Sequence, residues 1–144
     1  GAAMFLCLWI VAVAKFTDVG ALLFGLAFGR HKMAPQLSPG KTWEGAVGGI
    51  IAAAIVSILF LAGDRALPTS YSPVTFSYLD ASLLAIPVAV AAIASDLMES
   101  AFKRAASIKD SGKVIPGIGG AFDLIDSLIL AGPVAYLLFK LTVF

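Results

Sequence analysis

Charge is scarce in this chain. Only 13% of its 144 residues are Asp, Glu, Lys or Arg, where soluble domains carry about a quarter. Hydrophobic residues make up 60% and the mean hydropathy is +0.97. So small a domain cannot hide that much apolar surface from water, so a water-soluble globule is excluded and lipid is the expected solvent. Cysteine is scarcer still. Cys7 stands alone inside an apolar run, which excludes a disulfide framework within the chain and any Cys-built metal site. It reads as a small buried hydrophobe. His31 is the single histidine, so a metal here must be held by carboxylates. That selects a hard cation, Mg²⁺ first. A formal net charge of +1 gives no argument for nucleic acid, and none is expected as a partner.

What is present is a set of long apolar runs. A spanning helix needs about 20 mostly apolar residues. Four segments meet that length, at about residues 2–28, 42–62, 79–98 and 120–143. The expected fold is therefore all-α, a polytopic transmembrane helix bundle with about four spanning helices. The first segment contains Lys15, Thr17 and Asp18 and could break near Gly20; the third carries Pro87 and the fourth Pro133. Gly45, Gly48 and Gly49 would let a neighbouring helix approach closely. The chain opens at Gly1 rather than Met. It reads as a single transmembrane catalytic domain over residues 1–144, the C-terminal portion of a longer membrane protein, and its apolar opening is too long for a signal peptide.

The few charges are clustered. Arg30, His31, Lys32 and Lys41 lie between the first two segments; Lys103, Arg104, Lys109 and Lys113 lie between the last two. The remaining loop, with residues 68–77 rich in Ser, Thr, Pro and Tyr, has Arg65 beside Asp64 and Asp80. The positive-inside rule puts the two basic loops in the cytoplasm.

Ionisable residues within spans are costly and usually functional. Asp123 and Asp126 stand three apart, so a helix places them on one face. Two carboxylates that close repel unless a cation lies with them; the plainer reading is a helix-start pair favoured by the macrodipole. Asp96, Ser100 and Lys103 fall on one face of the preceding helix. Asp96 could add an oxygen ligand, and Lys103 with Arg104 suit phosphate. Equally, Glu99 and Lys103 could form an ordinary i,i+4 pair. The basic, Gly-rich loop from Lys109 to Gly120 could bind an anion at a helix start, or simply connect. Ser38, Lys41 and Thr42 could grip phosphate oxygens. In the plainer account Pro39 and Gly40 force a turn, Thr42 caps the second helix and Glu44 complements its dipole. Lys15 and Asp18 read as neutralising each other.

Five short blocks together carry a resemblance. Ser38-Pro39-Gly40-Lys41-Thr42-Trp43-Glu44-Gly45 is followed by Ser100-Ala101-Phe102-Lys103-Arg104 and Lys109-Asp110-Ser111-Gly112. Pro116-Gly117-Ile118-Gly119-Gly120 and Asp123-Leu124-Ile125-Asp126-Ser127 complete the pattern. In order and spacing they resemble the phosphatidate cytidylyltransferase (CDP-diacylglycerol synthase) family, over its C-terminal half. Ile118 stands where that family usually has His, and Leu124 where it often has Arg.

The resemblance implies a Mg²⁺-dependent enzyme, with a second cation as an option, that transfers CMP from CTP to phosphatidate in phospholipid biosynthesis. It implies Asp96, Asp123 and Asp126 as metal ligands, and Asp123, Asp126, Lys103 and Arg104 as the catalytic set. Ser38, Lys41, Thr42, Glu44, Ser100, Lys109, Asp110, Gly119 and Gly120 would meet substrate. It further implies membrane lipids and a homodimer as partners, and a bacterial inner membrane with the site on the cytoplasmic face. Two other readings stand beside it: a CTP-dependent polyprenol or lipid kinase, and a non-catalytic cation-binding membrane protein on the same fold.

Overall fold

A computed structural model describes residues 1–105 and 128–142. Helix α1 (Ala2–Phe28) leads into a hairpin of β1 (Lys32–Ala34) and β2 (Ser38–Thr42), followed by α2 (Trp43–Arg65), α3 (Tyr78–Ala105) and α4 (Leu128–Thr142). Among the described residues, α1, α2 and α3 are long and apolar enough to cross a membrane, whereas α4 has 15 residues. At 1.5 Å per residue the 27 residues of α1 reach roughly 40 Å, more than a hydrocarbon core of about 30 Å. The chain is a membrane protein built as a helix bundle, and among the described residues its one departure from all-α is the hairpin.

Helix α1 has the bounds the apolar run predicts and does not break at Gly20. Gly20 instead admits α2. A Cβ built there would lie 2.5 Å from Ala52 Cβ, and one built on Gly49 would lie 2.8 Å from the Thr17 carbonyl oxygen. Small residues on both helices thus let the backbones touch, which is how helices associate when lipid offers no hydrophobic drive. Cys7, expected inside, lies exposed on α1, where a weakly polar thiol is at no disadvantage in lipid.

The hairpin corrects the expected turn. The reversal falls at residues 35–37, closed by Leu37 N–H donating to the Ala34 carbonyl at 3.1 Å. Pro35 follows Ala34, at the position where its fixed φ suits a turn. Pro39 and Gly40 lie within β2 instead. Lys32 pairs with Thr42 and Ala34 with Ser38, so β2 carries extra residues between the two pairs. A bulge on a two-stranded edge is where a proline without an N–H is tolerated. Thr42 ends the strand and caps α2 as expected, its Oγ1 accepting from Gly45 N–H at 3.1 Å.

At the other end of the bundle the core is aromatic. Trp9 and Phe76 are fully buried, and their rings meet edge-on at 5.7 Å. Phe139 of α4 reaches both, at 5.4 Å from Trp9 and 5.9 Å from Phe76. Trp9 Nε1 donates to Ser57 Oγ at 2.8 Å, and Ser57 Oγ donates to the Ala81 carbonyl at 2.7 Å. This buried relay ties α1, α2 and α3, and it satisfies the polar atom that a buried tryptophan brings.

Candidate functional site

A cavity of about 310 Å³ opens at the hairpin end of the bundle. Its polar lining is Asp18 from α1, Ser38, Lys41 and Thr42 from β2, and Asp96 from α3; Ala21, Leu22 and Ile93 form its apolar side. Gly45 and Ala46 also line it, so the N-terminus of α2 faces the space. The positive end of the helix dipole there favours an anion. Close contact of α1 and α2 shapes this wall, since a Cβ on Gly45 would lie 2.7 Å from the Ala21 carbonyl oxygen.

Two charges meet inside. Lys41 Nζ lies 3.3 Å from Asp96 Oδ2. The other oxygen, Asp96 Oδ1, is buried and accepts no hydrogen bond from the described residues. A buried carboxylate oxygen left without a donor is costly. Hard oxygen donors of this kind suit a cation such as Mg²⁺. Asp96 therefore fits a metal ligand, and Asp18 on the same cavity offers a second carboxylate. Among the described residues there is no group of three or more His, Cys, Asp or Glu side chains placed to hold a metal.

The structure brings Ser38, Lys41, Thr42 and Asp96 to one cavity, as the sequence motifs suggest. Ser100, one turn beyond Asp96, shares its helix face and is half-buried. Other expected site residues have structural partners. Lys103 Nζ meets Glu99 Oε1 at 2.5 Å in the i,i+4 pair. Arg104 Nε donates to the Leu37 carbonyl at 2.8 Å, which fastens the hairpin tip to the end of α3. Glu44 takes His31 Nδ1 at 2.5 Å on one oxygen and His31 N–H at 3.2 Å on the other. With Trp43 N–H donating to the His31 carbonyl at 3.0 Å, that contact closes the base of the hairpin. Lys109, Asp110, Gly119, Gly120, Asp123 and Asp126 lie outside the described residues, as do Ile118 and Leu124.

Asp18 also lines the cavity, although it lies in none of the motif blocks. The sequence reads it as a counter-charge to Lys15, a pairing that a place on the cavity wall does not exclude. Its signal in the sequence was a carboxylate within an apolar span, which by itself points to function.

Residues 1–142 match the model of the cytidylyltransferase family. Over 137 residues the chain is 41% identical to a phosphatidate cytidylyltransferase of Haemophilus influenzae, covering 90% of this chain and 44% of the relative. It is 37% identical over 131 residues to the uncharacterized protein YnbB of Escherichia coli, covering 91% of this chain and 41% of that protein. A phosphatidate cytidylyltransferase of Chlamydia pneumoniae is 37% identical over 138 residues, covering 93% and 42%. The chain thus spans less than half the length of these relatives. With a match across almost all of its residues, the chain belongs to the cytidylyltransferase family.

Proposed function

We propose that this protein transfers CMP from CTP to phosphatidate, forming CDP-diacylglycerol and releasing pyrophosphate. The observation that carries the reading is the cavity that joins Asp96 and Asp18 to Lys41, Ser38 and the α2 N-terminus in a chain of this family. A phosphate oxygen of phosphatidate attacks the α-phosphorus of CTP in line. One P–O bond forms while the bond to the departing pyrophosphate breaks. The attacking phosphate is already an anion, so no strong general base is required, and Ile118 in place of His is compatible with the reaction.

Each residue then has a physical task. Lys41 places positive charge against phosphate oxygens, and the α2 N-terminus adds the positive end of its dipole. The Ser38 hydroxyl can donate to the same oxygens. Thr42 Oγ1 accepts from Gly45 N–H, so its own proton is left to donate. Asp96 would hold Mg²⁺, with Asp123 and Asp126 as further ligands expected from their motif and a second cation as an option. When bound, that metal supplies charge neutralisation at the α-phosphate and at the leaving pyrophosphate. Lys103 and Arg104, in the last turn of α3, would act on the site's electrostatics, and Arg104 on the hairpin's position through the Leu37 carbonyl. Acyl chains would lie against the apolar helix faces, which presents the lipid phosphate at the cavity.

The same reading places the site on the cytoplasmic face of a bacterial inner membrane. Its support is the basic character of the hairpin end, with Arg30, Lys32, Lys41, Lys103 and Arg104 all there. The homodimer implied by the resemblance belongs to this proposal too, and cross-linking in vesicles tests it.

The deciding assay follows radiolabelled CTP into lipid with phosphatidate and Mg²⁺, using protein expressed from its whole reading frame. Asp123→Asn runs beside it. A chloroform-soluble CDP-lipid, formed with pyrophosphate and lost in the variant, is the expected result. Release of CDP with a phosphorylated lipid alcohol would replace the reading by a lipid kinase. A folded protein that gives neither product would overturn it.

A further inference from the structure

Lys41 and Asp96 are held together although they come from very different supports. Asp96 stands well inside the 28-residue helix α3. Lys41 sits near the end of β2 on a long, flexible stem, and its side chain is 28% exposed against 20% for Asp96. The ammonium approaches one carboxylate oxygen, Oδ2, at 3.3 Å. Oδ1 is buried and receives no hydrogen bond from the described residues. The lysine therefore answers the charge of Asp96 and leaves half of its bonding capacity unmet. A divalent cation carries more charge and can engage both oxygens. The two cations repel each other if both press against one carboxylate.

We infer that Lys41 is the resident counter-ion of Asp96, that a divalent cation exchanges with it there, and that the released ammonium then turns to the phosphate groups of the bound substrate. The inference rests on the reading of this cavity as a cation and phosphate site. Its consequence is coupling between the two ligands. With Lys41 neutralised by Asp96, an anionic substrate meets a weakened positive site. With the cation bound, Lys41 faces the anion unpaired, so each ligand strengthens the binding of the other. Lys41 is in this sense a positioning residue for charge as well as a substrate contact.

The test needs no turnover. Mn²⁺, visible by paramagnetic resonance, is titrated into the protein without nucleotide or lipid substrate, in wild type, Lys41→Met and Asp96→Asn. Lys41→Met is expected to bind Mn²⁺ about fivefold more tightly, the scale set by a partly exposed ion pair. Asp96→Asn is expected to lose that binding. A second readout uses the native side chain: reductive methylation of Lys41, followed by mass spectrometry, should speed up on adding Mn²⁺ in wild type and not in Asp96→Asn. That readout carries the test should Lys41→Met not fold. Unchanged or weaker Mn²⁺ binding in folded Lys41→Met overturns the exchange, as does a methylation rate blind to the metal or a wild type without Asp96-dependent binding. The CMP-transfer assay separates this from failure of the functional reading. An active enzyme with a metal-blind Lys41 loses only the exchange, and an inactive protein with the exchange intact loses only the reaction.

Discussion

Asp64 and Asp96 occupy opposite ends of the same bundle, and their surroundings differ in a way that separates scaffold from site. Asp64, near the end of α2, is buried and well supplied. Its carboxylate accepts from Ser70 Oγ at 2.7 Å, from Tyr71 N–H at 3.1 Å and from Ser72 N–H at 2.9 Å. Next to it Arg65 donates to the Phe76 carbonyl at 2.6 Å and lies over the Tyr78 ring at 4.9 Å. Residues 68–77, which read from composition as a plain external connection, are thus tied down to the aromatic core through Phe76. Asp96, on a cavity wall, has one lysine at one oxygen and, among the described residues, no hydrogen-bond donor at the other. A fully satisfied buried carboxylate holds structure together. A half-satisfied one is what a ligand can complete.

If that contrast is right, changes at the two ends should affect different measurements. The largest effect belongs to Asp96→Asn. CMP transfer should fall by ~100-fold or more, as for loss of a charged group acting on the transition state, while the melting temperature in micelles changes little. A large loss of thermal stability with that substitution would show that Asp96 is scaffold and collapse the distinction. Trp9→Ala should do the reverse. Removing a fully buried indole from the Phe76 and Phe139 contacts should destabilise the protein by about 3 kcal/mol, read by thermal or chemical unfolding, with the rate per folded molecule preserved. The smallest effect is expected of Asp64→Ala, at about 1–2 kcal/mol for its hydrogen bonds to the loop. Amide exchange at Tyr71 and Ser72 should quicken while transfer activity is retained. Loss of activity there would mean that the two ends communicate.

How much could be read from the chain alone follows from which interactions are local. The bounds of α1, the Thr42 cap and the Glu99–Lys103 pair depend on neighbours within a turn or two, and each was legible. The blocks around Ser38–Gly45 and Asp96–Arg104 were legible as candidates, and the structure brings residues of both to one cavity. The place of the hairpin turn was not legible, because Pro35 and the pair Pro39-Gly40 are both competent turn formers. Cross-strand register, with Lys32 opposite Thr42, chose between them. The second role of Glu44 was hidden for the same reason, since His31 reaches it only once the hairpin closes.

Composition determined that this chain lives in lipid as a helix bundle, because so few charges and so many apolar residues leave no stable arrangement in water. Residue spacing determined where its helices lie and which polar residues share a helix face, because a helix repeats every 3.6 residues whatever surrounds it. The tertiary structure decided which faces meet. Glycines on α1 and α2 bring those helices into backbone contact, and that contact sets Asp18 of α1 on the cavity wall beside the α2 N-terminus and Lys41 within reach of Asp96. No spacing rule carries that information, because the groups involved are tens of residues apart and their distances depend on how closely whole helices approach.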